Sequence, residues 1–228
     1  MKTLLLLLVS VFVFPVRSEE TAPSAAPTPV PTVESKAPEK PAPSHKKKAE
    51  TAWTGEAAVL RKELGTLFEE SKHVNDADAA AKARARGTID STFDWAQIAK
   101  ECLGEKEWDK RSVAERDSFV RLLKDVIQRT AYGRLEIFWK GADYRFEKID
   151  ITGEQAGVAV QFLKDGDDGL MEYKLRKKGG KWTLYDLAYE GNYYGSNINQ
   201  QIKAFLKENN FSKFLEKLKK RRDELAAQ

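Results

Sequence analysis

The sequence predicts an α+β fold, and three patterns predict it. Before Gly141 the apolar residues recur at helical spacing, from Asp143 to Tyr189 they alternate, and beyond Asn197 the helical spacing returns. Gly179-Gly180 sits between two alternating runs, the mark of a tight hairpin. The alternating runs are apolar on one face and charged on the other, so the apolar face needs helices as its cover. The expected architecture is a curved antiparallel sheet of about four strands with helices packed over one side.

The chain has 228 residues, and its first segment reads as an address. Lys2 supplies a positive charge, and Leu4 to Phe14 is apolar apart from Ser10. Pro15 breaks that run, and Val16 and Ser18 stand at the usual cleavage positions. This is the pattern of a secretory signal peptide, residues 1–18, too short for a permanent membrane span. Residues 19–52 hold seven of the eight prolines, with Ala, Ser, Thr, Lys and Glu. Such a segment buries too little apolar surface to offset its ordering entropy, and an extended or disordered linker is expected. The folded domain is then 53–228. Net charge is +4, and removing Lys2 and Arg17 leaves +2, a mild balance that argues against nucleic acid. The single cysteine, Cys102, has no internal disulfide partner.

Within the domain, Leu60, Leu64, Leu67 and Phe68 place a helix over Trp53 to about Val74. An alanine-rich helix is expected over Asp76–Arg86, ended by Gly87, and another over Ser91–Leu103, closed by Gly104. Cys102 belongs to the apolar side of the latter as a small buried residue. Ser112 and Glu115 form a capping box, and Phe119, Leu122, Leu123, Val126, Ile127 and Thr130 make one apolar stripe on the longest helix. Four strands follow: Asp143–Ile151, Gly157–Leu163, Leu170–Lys177 and Lys181–Tyr189. The DGDDG run, Asp165 to Gly169, lacks calcium-loop spacing and reads as a hairpin loop. Asn197 is expected to cap a helix carrying Ile198, Ile202, Phe205 and Leu206. A last helix carries Phe211, Phe214, Leu215 and Leu218 and ends in a basic tail.

Catalytic constellations are absent from the pattern. His45 and His73 are far apart, and no nucleophile elbow, phosphate loop or dinucleotide fingerprint occurs. What remains is an excess of large apolar side chains on a helix-covered sheet; a sheet that curls around helices can enclose an apolar cavity, and the same side chains can equally fill a solid core. Asp186 to Ile202, DLAYEGNYYGSNINQQI, crowds two glycines and two tyrosines into a turn and is expected to form one cavity wall. In that reading Gly191 and Gly195 turn the chain, and Tyr193 and Tyr194 pack by the mouth.

Several motifs, taken in order, resemble the MlaC-type periplasmic proteins, the toluene-tolerance auxiliary family. Phe93-Asp94 opens a helix that ends in Leu103-Gly104, followed by Trp108, then Arg116 and Phe119. Trp182, Tyr185-Asp186 and Glu190-Gly191 close the sheet. The resemblance covers about Trp53 to Arg222. It implies an NTF2-like fold around a deep apolar cavity and a monomeric periplasmic carrier of phospholipid, acyl chains inside. It further implies transient partners, an outer-membrane lipoprotein complex and an inner-membrane ABC transporter, with no cofactor and no catalysis. The side chains expected to touch lipid are Leu123, Val126, Ile127 and Tyr132 on the long helix, and Ile149, Val160, Tyr173, Leu184 and Tyr189 on the sheet. Tyr193, Tyr194, Ile198 and Ile202 complete them. Two departures stand out: Asn192-Tyr193 replaces the usual Val-Ser, and Asn199 stands where an Arg is common. Two other readings compete, an NTF2-like enzyme using Asp186 or Glu190, and a module binding cell-envelope glycan.

Overall fold

The computed structural model describes residues 52–164 and 166–227, so the expected signal peptide and all but the last residue of the linker lie outside the described residues. Five helices come first: α1 (Gly55–Ser71), α2 (Ala79–Thr92), α3 (Trp95–Leu103), the short α4 (Glu105–Asp109) and α5 (Val113–Trp139). The sheet follows as a meander of β1 (Ala142–Thr152), β2 (Gln155–Lys164), β3 (Asp167–Lys178), β4 (Lys181–Tyr189) and the two-residue β5 (Asn192–Tyr193). Helices α6 (Tyr194–Glu208) and α7 (Phe211–Ala226) complete the chain. All neighbouring strands are antiparallel. The α+β class and the curved antiparallel sheet are as the sequence predicts.

Some boundaries differ, each for a local reason. Gly87 does not end α2; the helix runs on to Thr92 because its backbone stays right-handed there and Ile89 is buried on the same side. The break comes at Phe93-Asp94 instead. Phe93 bridges to Leu184 of β4, and the Asp94 amide donates to the Leu184 carbonyl at 2.8 Å. Gly104 does close α3, with φ of 82°. The capping box forms as expected: Glu115 accepts from the Ser112 amide at 2.8 Å, and the Glu115 amide donates to Ser112 Oγ at 3.3 Å. Helix α6 begins three residues before Asn197, at Tyr194, with no capping side chain of its own.

Two bulges shape the sheet. Between Phe146 and Lys148 the β1–β2 register shifts, so Tyr144 and Phe146 share a face with Ile149 and Ile151. Between Lys174 and Leu175 the β3–β4 register shifts, leaving Tyr185 unpaired. One part of the inner face is filled by α1. Phe68 lies against Tyr144, Phe146, Phe162, Tyr173 and Trp139 at centroid distances of 5.0 to 6.0 Å. A second core lies between helices, where Phe119 meets Phe211 and Phe214, and α5 packs on α7.

Asp94 ties the helical layer to the sheet. Its side chain, only 1 % exposed, accepts from the Gln97 amide and from Arg176 Nε at 3.0 Å, with Lys178 Nζ at 3.3 Å. Burial pushes its carboxyl up, but the Arg176 hydrogen bond and charge outweigh that and hold it below its ordinary value. A depressed carboxyl stabilises the native state above the unfolded value, about 3.9, and that contribution is lost as pH falls through the folded one. Asp94→Ala should therefore cost about 3 kcal/mol at pH 7, the low end for a broken buried pair because both cations can rehydrate. The gap should close in acid. Urea melts at pH 7 and pH 3 check this, and a loss of equal size at both would show that the charge is not responsible.

Candidate functional site

Where α1 stops covering the sheet, a cavity opens. It has a volume of about 260 Å³ and an almost wholly apolar lining. Its floor is the inner face of the sheet: Phe162 from β2, Met171 and Tyr173 from β3, and Leu184, Leu187 and Tyr189 from β4. Its roof is the second half of α5, where Ile127, Ala131, Arg134, Leu135 and Phe138 recur at helical spacing. The sides come from Phe68 of α1, Ile89 of α2, Phe93, Trp95 and Ile98 around α3, and Tyr194 and Ile198 of α6. Phe93 and Trp95 stack at 5.3 Å, so the chain break before α3 presents a flat aromatic wall. A separate polar hollow beyond Gln128 and Tyr132 is lined by Arg86, Asp125 and Arg129.

The MlaC protein family model matches residues 59–220, most of the chain and the whole of this sheet and roof. The chain belongs to the MlaC family. A search of the curated proteins finds no match. Among solved structures, this MlaC domain is similar to a phospholipid-binding protein from Ralstonia solanacearum determined in complex with a phospholipid. The TM-score is 0.63 at 14% sequence identity, over 74% of this chain and 97% of that one. At that identity the likeness shows the shared fold.

The structure brings together seven of the residues singled out from sequence: Ile127, Tyr132, Tyr173, Leu184, Tyr189, Tyr194 and Ile198 all line the cavity. The other six stand elsewhere. Leu123 and Val126 are buried on the stripe of α5 that continues from Phe119 to Thr130, a different stripe from the one that roofs the cavity. Ile202 is fully buried one turn beyond Ile198. Ile149 and Val160 lie in the part of the sheet face already filled by α1 around Phe68. Tyr193 pairs with Ala188 and sits on the opposite face, its ring 3.7 Å from Lys174 Nζ. The sequence reading missed Phe93, Trp95, Leu135, Phe138, Phe162 and Leu187. A signal for part of them was present, since Ile127, Ala131, Leu135 and Phe138 continue the helical period past Thr130.

The tyrosine–glycine turn has a different geometry from the one expected of it. Glu190 and Gly191, at φ of 49° and 76°, form a two-residue hairpin loop between Tyr189 and Asn192. Gly195 does not turn the chain; it is helical, and what matters is its missing side chain. A Cβ there would meet Asp186 Oδ1 and Glu101 Cβ at 3.3 Å. That close approach lets the Gly195 amide donate to Asp186 Oδ1 at 3.0 Å, so the strand carboxylate caps α6 from outside. The Leu187 amide donates to the same oxygen at 2.9 Å, and Lys174 Nζ lies 3.6 Å from Oδ2.

Burial pushes the Asp186 carboxyl above its ordinary value, and the Glu101 charge adds to that; the Gly195 amide and Lys174 oppose it without cancelling it. A raised carboxyl binds its proton more tightly in the native state. Its contribution to stability is therefore greatest below the unfolded value, about 3.9, and is lost as pH rises through the folded one. Asp186→Asn keeps an oxygen for both amides and does not titrate. Thermal melts from pH 4 to pH 7 should show the variant gaining on the wild type as pH rises. A difference that is flat, or that runs the other way, would exclude a raised carboxyl.

Proposed function

We propose that this chain is a soluble, monomeric periplasmic phospholipid carrier. In this reading it shuttles lipid between an outer-membrane lipoprotein complex and an inner-membrane ABC transporter, and so maintains the lipid asymmetry of the outer membrane. The observation that carries the reading is the apolar cavity between the sheet and α5. Hydrocarbon gains about 0.8 kcal/mol per methylene on leaving water, so acyl chains are held by burial alone. Membership of the MlaC family and the likeness to a protein solved with a phospholipid support the same reading. Among the described residues no helix is long and apolar enough to cross a membrane, in keeping with a carrier that moves between membranes. The residues proposed to touch acyl chains are the seven sequence-expected cavity residues with Phe93, Trp95, Leu135, Phe138, Phe162 and Leu187.

The enzyme reading is less well supported. Both carboxylates that it would use serve the backbone: Asp186 caps α6, and Glu190 accepts from the Leu170 amide at 2.8 Å. Neither is left free to act as an acid or base on a bound molecule.

Native mass spectrometry of protein exported and purified without detergent tests the carrier reading. A discrete added mass that extraction resolves into phospholipid is the expected result; protein that stays bare after incubation with phospholipid vesicles would overturn it. The cavity's part in this is checked separately. Ala131→Trp fills the space beneath the α5 roof and should reduce loaded lipid several-fold while the melting temperature holds, because the new ring enters a hollow and not a packed core. Undiminished loading would place the lipid elsewhere.

A further inference from the structure

Five polar atoms of the cavity share one property. Trp95 Nε1, Tyr132 Oη, Arg134 Nη1, Trp139 Nε1 and Tyr194 Oη all belong to lining residues, all are shut off from solvent, and none has a hydrogen-bond partner among the described residues. Indole and guanidinium nitrogens can only donate. The tyrosines are held as neutral phenols, Tyr132 pushed up to about 12 by burial, with Asp90 adding to it, and Tyr194 pushed further up by burial against the opposing Arg134 cation. Their O–H groups are therefore free to donate.

Charge follows the same division. Arg134 is the one cation in the lining and Asp186 the one carboxylate. Asp186 is already engaged by two backbone amides and Lys174. Among the described residues Arg134 has no carboxylate partner; the Tyr194 hydroxyl and a second cation, Arg221 of α7, are the groups that act on it. Burial first, and then Arg221, weaken its hold on its proton, yet a guanidinium stays charged. A buried donor left unmade is costly, and Arg134 Nη1 is one although the residue as a whole is only half-buried. Five such atoms around one apolar hollow are what a site looks like when an acceptor-rich group completes it.

We propose that Arg134 and Tyr194 form an oxyanion subsite inside the cavity, so that the occupant is a long-chain amphiphile whose anionic group lies against the α5–α6 wall. This rests on the lipid-carrier reading and specifies its cargo. The group is a phosphodiester oxygen of a phospholipid head or the carboxylate of a fatty acid; both are anions rich in acceptors. A cationic head-group amine finds no free carboxylate in the lining, so a lipid of net negative charge is preferred to a zwitterionic one.

Competitive loading tests this. Full-length exported protein is incubated with vesicles of equal phosphatidylglycerol and phosphatidylethanolamine, separated, and its bound lipid quantified by mass spectrometry. The wild type should carry phosphatidylglycerol in excess of the vesicle ratio. Arg134→Met keeps the apolar stem but removes the cation, which attracts a net anion and repels a head-group amine, so it should lose about tenfold of that preference while still loading lipid. Its melting temperature should be unchanged or higher, since an unpaired charge has gone; a structural arginine would show a fall. Lys219→Met on the exposed face of α7 makes the same change in net charge and should leave the preference intact.

Loading without preference in the wild type, or preference retained in Arg134→Met, would overturn the subsite and leave the carrier reading standing. No loading from any vesicle would overturn both. Adding oleate decides the source: displacement that depends on Arg134 assigns the subsite to carboxylates as well, and failure to displace confines it to phosphodiesters.

Discussion

Strand β4 carries one residue more than β3 can pair, and much of the molecule depends on where that residue falls. Leu175 pairs with Leu184 and Lys174 with Asp186, so Tyr185 is left out of the ladder. Side chains alternate along a strand, and one extra residue reverses the alternation beyond it. Before the bulge Trp182 and Leu184 face inward. After it Leu187 and Tyr189 do, and Asp186 and Ala188 are turned to the other face, where both are buried. Simple alternation would have set a carboxylate in the middle of the cavity floor and lost two large apolar side chains from it. The bulge instead keeps the floor apolar and delivers Asp186 to the start of α6, at the border of the cavity beside Gly195.

The inner face of the sheet is thereby divided in two. On one side Phe68 packs among Tyr144, Phe146, Phe162 and Tyr173, and Phe68, Phe162 and Tyr173 also border the cavity. The other half faces the second stripe of α5 across open space. Helix α5 serves both needs because its 27 residues carry two apolar stripes. Phe119, Leu123, Val126 and Thr130 are buried on one, and Ile127, Ala131, Leu135 and Phe138 roof the cavity on the other. A helix that only covered a core would need one stripe. The second is anchored by the first: with one stripe fixed and buried, the roof is held at a distance from the floor that it does not itself determine.

This division explains what could be read from the sequence. Strand periods, the Gly179-Gly180 hairpin, the Ser112–Glu115 capping box and the Gly104 stop are local signals, and each appears where expected. The cavity membership of Leu184, Tyr173 and Ile127 follows from face and period alone. What failed to show was tertiary. Gly87 has the composition of a helix end, but burial of Ile89 carries α2 past it. Ser91 and Thr92 look like the start of a helix, but the bridge from Phe93 to Leu184 sets the break later. Asn197 has the chemistry of a cap, but Asp186 satisfies α6 from another strand. Leu123 and Ile127 are equally apolar, and only the packing of α7 on α5 distinguishes the buried stripe from the roof. Register shifts leave no mark in composition, so parity beyond Phe146 and Leu184 was not legible.

The crowding of two tyrosines and two glycines into one turn now has a physical account. A two-residue loop with both residues at positive φ returns the chain directly onto β4, leaving no slack before α6. Tyr193 and Tyr194 are adjacent at the point where strand gives way to helix, so their side chains diverge. One takes the outer face beneath Lys174, and the other enters the cavity beside Arg134. Gly195 follows at once because the strand carboxylate must come close enough to accept its amide. The hydroxyl of Tyr194 is thus positioned by the backbone of the preceding hairpin and by the Asp186 contact one residue later, with little freedom of its own. A donor fixed this firmly, next to an arginine without an anion, is placed by the fold and not by any partner among the described residues.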